Sequence, residues 1–181
     1  MGHDLTCVLL CNTLYVLIIF VDVQNKKWVS DITYTISKFN GKSKQYKEAE
    51  RQKWDNVASG WQKWWSTIER GGANLSKRLI ELAEIKPDSR VLDISTGIGE
   101  PAITAASQLD KTGYILATDI SPQMLSIAKQ RATSFGLENV IEFREGDTET
   151  IELPTNTFDA ALCRAGLMFL PDPNAGLSNI F

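Results

Sequence analysis

The stretch VLDISTGIGEPA, residues 91–102, constrains this chain most, because an apolar strand there runs into a glycine turn and directly on into a helix. Arg90–Ile94 is short, β-branched and largely apolar, the pattern of a parallel strand buried on both faces. Gly97 and Gly99 permit backbone angles and close approaches that a Cβ forbids, and Pro101 suits the first position of a helix, where no N–H partner is needed. The free N–H groups at that helix start are expected to face a ligand.

Two kinds of nucleotide fit such a corner. Gly97, Gly99 and Ala102 match the glycine pattern of dinucleotide-binding folds, and Asp119 lies 20 residues beyond Gly99. Charge separates the readings. Asp93 near the strand end and Glu100 at the helix start place two carboxylates around the turn, which anionic phosphates should avoid. A ligand carrying an ammonium and a sulfonium, as S-adenosylmethionine does, is attracted by the same groups; Coulomb's law sets the sign of the preference.

Downstream, the chain supplies further parts for such a ligand. Residues 114–118 read as a second strand ending at Asp119, whose carboxylate could accept hydrogen bonds from two ribose hydroxyls. Ser121 caps a helix that Pro122 starts and Gly136 stops, with Leu125, Ala128, Ala132 and Phe135 along its inner side. Residues 140–144 form a third strand leading into EGDTE, where Asp147 could accept from an adenine amino group and the Thr148 N–H donate to the ring. A fourth strand, residues 158–163, follows a loop containing Pro154.

These strings, with RAGLMFLPDP after them, resemble the class I S-adenosylmethionine-dependent methyltransferases, in particular the group containing quinone-biosynthesis C-methyltransferases and their small-molecule relatives. The resemblance runs from about Ser59 to the end and is strongest from Arg90 onward. It implies an α/β fold, a Rossmann-like parallel sheet of order 3-2-1-4 with flanking helices, and methyl transfer from S-adenosylmethionine to a small-molecule acceptor. It also implies that Asp93, Gly97 and Gly99 lie along the methionine part of the ligand, with Ser95 and Thr96 in the same loop. Asp119 would bind ribose, Ile120 and Met124 would pack near the adenosine, Asp147 and Thr148 beside Gly146 would read adenine, and Arg164, counted with the cofactor-binding residues, would stand at the mouth, where it and nearby glutamates are candidates for positioning the acceptor. No catalytic base is nominated.

Ser95 stands where the family commonly has its first glycine, which stiffens the loop. The family's sheet usually has seven strands, whereas this sequence reaches only the helix after the fourth, so a C-terminally truncated domain is expected. The alternatives are a non-catalytic module that binds S-adenosylmethionine without turnover, and an NAD-binding Rossmann domain.

A net charge of -3 argues against a nucleic-acid backbone as partner. Cys7, Cys11 and Cys163 form neither a zinc spacing nor a disulfide framework, which suits a reducing, cytoplasmic compartment. The single histidine is His3, so a histidine metal site in the core is not expected. Three regions are anticipated: an apolar extension over residues 1–40, N-terminal helices over 41–88 with a lid reading, and the binding core over 89–181. Residues 5–21 carry no charge and reach the lower end of membrane-spanning length, followed by Lys26 and Lys27. That segment reads either as a membrane anchor or as an unrelated leader. The opening MGHDLT also matches a myristoylation pattern.

Residues 42–53, with Lys44, Lys47, Glu48, Glu50 and Arg51, read as a solvated helix face. In WDNVASGWQKWW, the spacing puts Trp54, Val57, Trp61, Trp64 and Ile68 on one face with Trp65 at its border, either packed on the domain or closing over a ligand. Leu75, Leu79 and Leu82 continue as an amphipathic helix ending before Pro87. Cys163 reads as a small buried apolar residue, and Met168 and Phe169 as core or acceptor pocket.

Overall fold

The structure, a computed structural model, describes residues 43–180. The N-terminal extension, with His3, Cys7, Cys11 and the anchor and leader readings, lies outside the described residues. Among those residues, no helix is long and apolar enough to cross a membrane.

Four parallel strands, β1 (Arg90–Ile94), β2 (Tyr114–Asp119), β3 (Ile141–Glu145) and β4 (Ala160–Leu162), form one sheet of order β3-β2-β1-β4. β1 is paired on both sides, with Asp93 opposite Ala117 of β2 and Leu162 of β4. Because side chains alternate along a strand, β1 sends Val91 to one face and Leu92 and Ile94 to the other. The first face is covered by Leu79, Ile80 and Ala83, by Ala102, Ile103, Ala105 and Ala106, and by Ala132. The second packs Leu92, Ile94, Leu116 and Ala161 against Leu153, Phe158 and Ile180. Burial on both faces explains why β1, β2 and β4 are largely apolar runs, whereas β3 at the sheet edge, IEFRE, alternates.

The expected N-terminal helices are a single one, α1 (Ser43–Leu82), 40 residues and about 60 Å long. Gly60, Gly71 and Gly72 lie within it without breaking it, and Glu84, at φ 49°, turns the chain beyond its end. Its buried stripe also differs from expectation. Trp54, Ala58, Trp61 and Trp65 pack with Ile98, Met124 and Ile127, whereas Val57 and Trp64 are 40% and 58% exposed. The stripe runs at steps of four, three and four, and it is anchored on Ala58, only 2% exposed. An alanine between tryptophans gives little sequence signal, so periodicity alone points to its bulkier neighbours.

After the glycine loop comes α2 (Ala102–Ala106), with Pro101 at the cap rather than in the first turn. In α3 (Pro122–Ser134), Ser121 accepts from the Met124 N–H and Gly136 turns the chain at φ 70°. Phe135, expected on the inner side, is the C-cap and is 60% exposed, since the helix ends before its side chain reaches the core. A 3₁₀ turn (Leu167–Phe169) and α4 (Pro173–Ile180) follow β4. β4 pairs over three residues rather than the expected six; Phe158 still packs on the sheet, outside the ladder.

Candidate functional site

The loop after β1 is closed by its own hydrogen bonds. Asp93 Oδ2 accepts from the Thr96 hydroxyl at 2.6 Å and the Ala102 N–H at 3.0 Å. The Gly97 N–H donates to Asp119 Oδ2 at 2.8 Å, and the Gly99 and Glu100 N–H groups both donate to the Thr96 carbonyl at 3.0 Å. The N–H groups expected to face a ligand are therefore consumed inside the turn, and the phosphate cradle of a dinucleotide site does not form. Three residues of this loop have positive φ: Ser95 at 54°, Gly97 at 57° and Gly99 at 100°. Ser95 thus keeps the left-handed backbone that a glycine would hold without strain.

Asp93 is fully buried, and burial pushes its carboxyl up to about 7 against the opposing hydrogen bonds from Thr96 and Ala102. Its Oδ1 has no hydrogen-bond partner among the described residues. Asp119, 8% exposed, accepts from Gly97 through Oδ2 and from the Ser121 N–H at 2.9 Å through Oδ1. Burial raises its pKa, with the backbone donors pulling the other way.

A cavity of about 300 Å³ lies between this loop, α1, and the segments after β2, β3 and β4. Ser95, Thr96, Gly97, Asp119, Ile120, Met124, Asp147, Thr148 and Arg164 line it, which brings together most of the residues expected from the sequence. Asp93, Gly99 and Gly146 do not line it. Asp93 is turned into the loop as an internal tie. A Cβ at Gly99 would stand 2.9 Å from Ile103 Cδ1, and one at Gly146 would stand 2.3 Å from Ile151 Cδ1, so both glycines serve packing behind the wall.

The opposite wall comes from α1, through Lys47, Glu50, Trp54, Trp61, Ile68, Gly72 and Leu75. Trp54 meets Phe169 edge-on, with centroids 5.1 Å apart, closing the aromatic side. Lys47, expected on a solvated face, instead reaches Asp147 and Glu149 at 2.6 Å each. Asp55 accepts from the Ser121 hydroxyl at 2.6 Å and the Gln123 N–H at 3.3 Å, capping α3 from outside. Glu100, expected to attract a cation, gives its oxygens to the Thr104 hydroxyl at 2.6 Å and to Arg131 at 3.2 Å. Arg131 also donates to the Ile98 carbonyl and stacks 3.2 Å over the Trp65 ring. Arg164 is tied to α1 by Ser76 at 2.7 Å and Glu69 at 3.4 Å.

Lys47, Asp55, Arg131, Glu69 and Ser76 escaped the sequence reading because each acts on a partner at least 31 residues away. Cys163, expected to be buried, is partly buried against the second face of the sheet, and its surroundings push the thiol up to about 12. The charged residues on the cavity wall are four acids, Glu50, Glu100, Asp119 and Asp147, against two bases, Lys47 and Arg164. Glu100 is paired with Arg131 and Asp147 with Lys47, so the wall carries little net charge, and the inward-turned N–H groups are what disfavour a diphosphate.

The family described as a methyltransferase domain matches residues 91–181. This chain belongs to that family. The matched stretch begins within β1 and takes in the glycine loop, Asp119, Asp147 and Arg164, so the family's portion of the chain and the inner wall of the cavity coincide. The ubiquinone/menaquinone biosynthesis C-methyltransferase of Stenotrophomonas maltophilia is 30% identical over 56% of this chain and 40% of its own length. The aklanonic acid methyltransferase of a Streptomyces species is 33% identical over 62% of this chain and 53% of its own. The chain thus spans about half the length, or less, of these methyltransferases. A crystal structure of a methyltransferase-family protein from Methanococcus maripaludis superposes with a TM-score of 0.62 at 24% identity, covering 70% of this chain and 57% of that one, and shares the fold.

Proposed function

We propose that this methyltransferase-domain chain binds S-adenosylmethionine in the cavity between α1 and the sheet and directs its methyl group to a small-molecule acceptor. The observation that carries this is the loop after β1: its N–H groups are spent internally while the carboxylates of Asp119 and Asp147 remain on the wall. That arrangement suits ribose hydroxyls and an adenine amino group, with Ile120 and Met124 as apolar surface near the adenosine and Ser95, Thr96 and Gly97 along the tail. The relatives' names, a C-methyltransferase of quinone biosynthesis and an aklanonic acid methyltransferase, support a small-molecule acceptor.

When bound beside Asp119, Ile120, Met124 and Asp147, S-adenosylmethionine would supply an electrophilic methyl carbon to the electron pair of an acceptor. The chain's own part is alignment and exclusion of water. Trp54, Trp61 and Phe169 dry one side of the cavity, and the Asp93–Thr96–Ala102 ties keep the loop rigid.

Calorimetric titration with S-adenosylhomocysteine tests the reading. The parent chain is expected to bind, and Asp119→Ala to bind at least tenfold more weakly while retaining its circular dichroism spectrum. A folded parent that binds NADH and not S-adenosylhomocysteine would overturn it.

A further inference from the structure

One charged group on the cavity wall, Arg164, has an unusual setting. Arg164 follows β4 directly past Cys163 and lines the cavity among Ile68, Leu75, Phe169 and Leu170. Room for it is made by Gly72: a Cβ there would stand 2.9 Å from Arg164 Nη1. Two side chains of α1 hold that nitrogen, the fully buried Ser76 at 2.7 Å and Glu69 at a longer 3.4 Å. Among the described residues, both hydrogen bonds of the guanidinium converge on Nη1. Its Nη2 and Nε make no hydrogen bond to the described residues and neither is fully enclosed, on a side chain that lines the cavity. A guanidinium is a planar fork of five donors, and a fork pinned at one nitrogen presents the rest of its donors in a fixed direction.

An arginine among apolar walls is costly unless an anion completes its pairing. Glu69 does this incompletely. Its ion pair is long, and burial first, then the Glu100 charge, raise its pKa against the pull of Arg164.

We propose that Arg164 anchors the methyl acceptor through an anionic oxygen, so that the acceptor is a largely apolar molecule bearing a carboxylate or another ionised oxygen. Aromatic walls take the apolar body and the open edge of the guanidinium takes the charge. Glu69 then acts as a gatekeeper, repelling the incoming anion unless it yields Nη1. This rests on the reading of the cavity given above.

The test uses the full chain saturated with S-adenosylhomocysteine and two probes of equal shape, 2-naphthoate and 2-naphthamide, followed by quenching of tryptophan fluorescence. The parent is expected to bind the naphthoate at least tenfold more tightly than the amide. Arg164→Gln should abolish that preference while still binding S-adenosylhomocysteine, Arg164→Lys should retain part of it, and Glu69→Gln should tighten naphthoate binding about threefold or more. The gain in Glu69→Gln is a result that misfolding cannot imitate. Equal affinities or no binding of either probe by the parent, a preference that survives Arg164→Gln, or loss of S-adenosylhomocysteine binding in Arg164→Gln would each overturn the assignment. Failure of the parent to bind S-adenosylhomocysteine removes the underlying reading as well, and so separates the two.

Discussion

The Lys47 ammonium sits between Asp147 Oδ2 and Glu149 Oε2, 2.6 Å from each, so the first turns of α1 are clamped onto the loop after β3. Burial alone would lower the lysine's pKa, but its hydrogen bonds to the two carboxylates and their charges outweigh that and raise it. All three side chains are mostly shielded from water, with 17%, 21% and 7% exposure, so the pairing is screened less than a surface ion pair. Replacing Lys47 by Met is expected to release this end of α1. Amide hydrogen exchange over residues 43–50 should accelerate about tenfold, the equivalent of about 1.4 kcal/mol, while the sheet's amides stay unchanged. Exchange that is unaltered in that segment would mean the clamp carries no local stability.

Ser95 and Gly166 are fitted to each other. Ser95 carries a Cβ at a φ of 54°, and a Cβ built on Gly166 would lie 2.4 Å from it and 2.7 Å from its Oγ. Gly166 itself has φ -83°, an ordinary conformation, so the cost of Gly166→Ala is steric. That variant should lose about 1–3 kcal/mol of stability. Adding Ser95→Gly removes the strained side chain and the two closest clashes, leaving Cys163 Sγ at 3.0 Å, and the double variant should recover at least about 1 kcal/mol beyond additivity. Strict additivity in urea melts would show that the two positions do not share this space.

Asp93 gives the domain a pH dependence opposite to that of salt-bridged carboxylates. Its carboxyl is raised from 3.8 to about 7 in the folded chain, so between those values the native state holds a proton that the unfolded state has lost. Its contribution to stability is full below about pH 4 and is lost as pH climbs through 7. Asp119, raised by burial in the same direction, adds to the trend. Asp93→Asn keeps an oxygen for Thr96 and Ala102 but removes the titration. Its melting temperature should fall less than the parent's between pH 4 and 7. Parallel curves would mean that Asp93 is ionised in the fold throughout.

The sheet was legible because its signals are local. The residues of β1, its glycine turn, the Ser121–Pro122 cap and the end of β2 at Asp119 each follow from a few adjacent side chains, and strand order 3-2-1-4 followed from the family resemblance those strings carry. What α1 does was not legible. Its 40 residues carry three glycines and tryptophans on more than one side, so periodicity alone did not set its continuity or its buried stripe. The site divided the same way. Asp119 and Asp147 could be named from their places after strands, yet the partners that hold them, Gly97 for one and Lys47 for the other, exist only once the chain is folded. Arg131 is the clearest case: next to Lys129 and Gln130 it has the local sequence of a solvent-facing helix position.

Arg131 joins three elements at one guanidinium. It stacks 3.2 Å from the centre of Trp65 on α1, donates through Nη1 to the Ile98 carbonyl in the glycine loop, and through Nη2 reaches Glu100 at 3.2 Å. Glu100 is 5% exposed, so removing its counter-charge leaves a buried carboxylate supported by Thr104. Arg131→Met keeps the volume and some contact with Trp65 but should cost about 3–5 kcal/mol, the range for breaking one side of a buried pair. Most of that loss is the penalty of the stranded charge rather than the worth of the bond. The double variant Arg131→Met/Glu100→Gln should therefore be more stable than Arg131→Met alone by at least about 1 kcal/mol, although it lacks one more native side chain. Equilibrium urea denaturation measures both steps. If the second substitution lowers stability further, the Glu100 charge is not what Arg131 compensates, and the guanidinium's hold on Ile98 and Trp65 carries the effect instead.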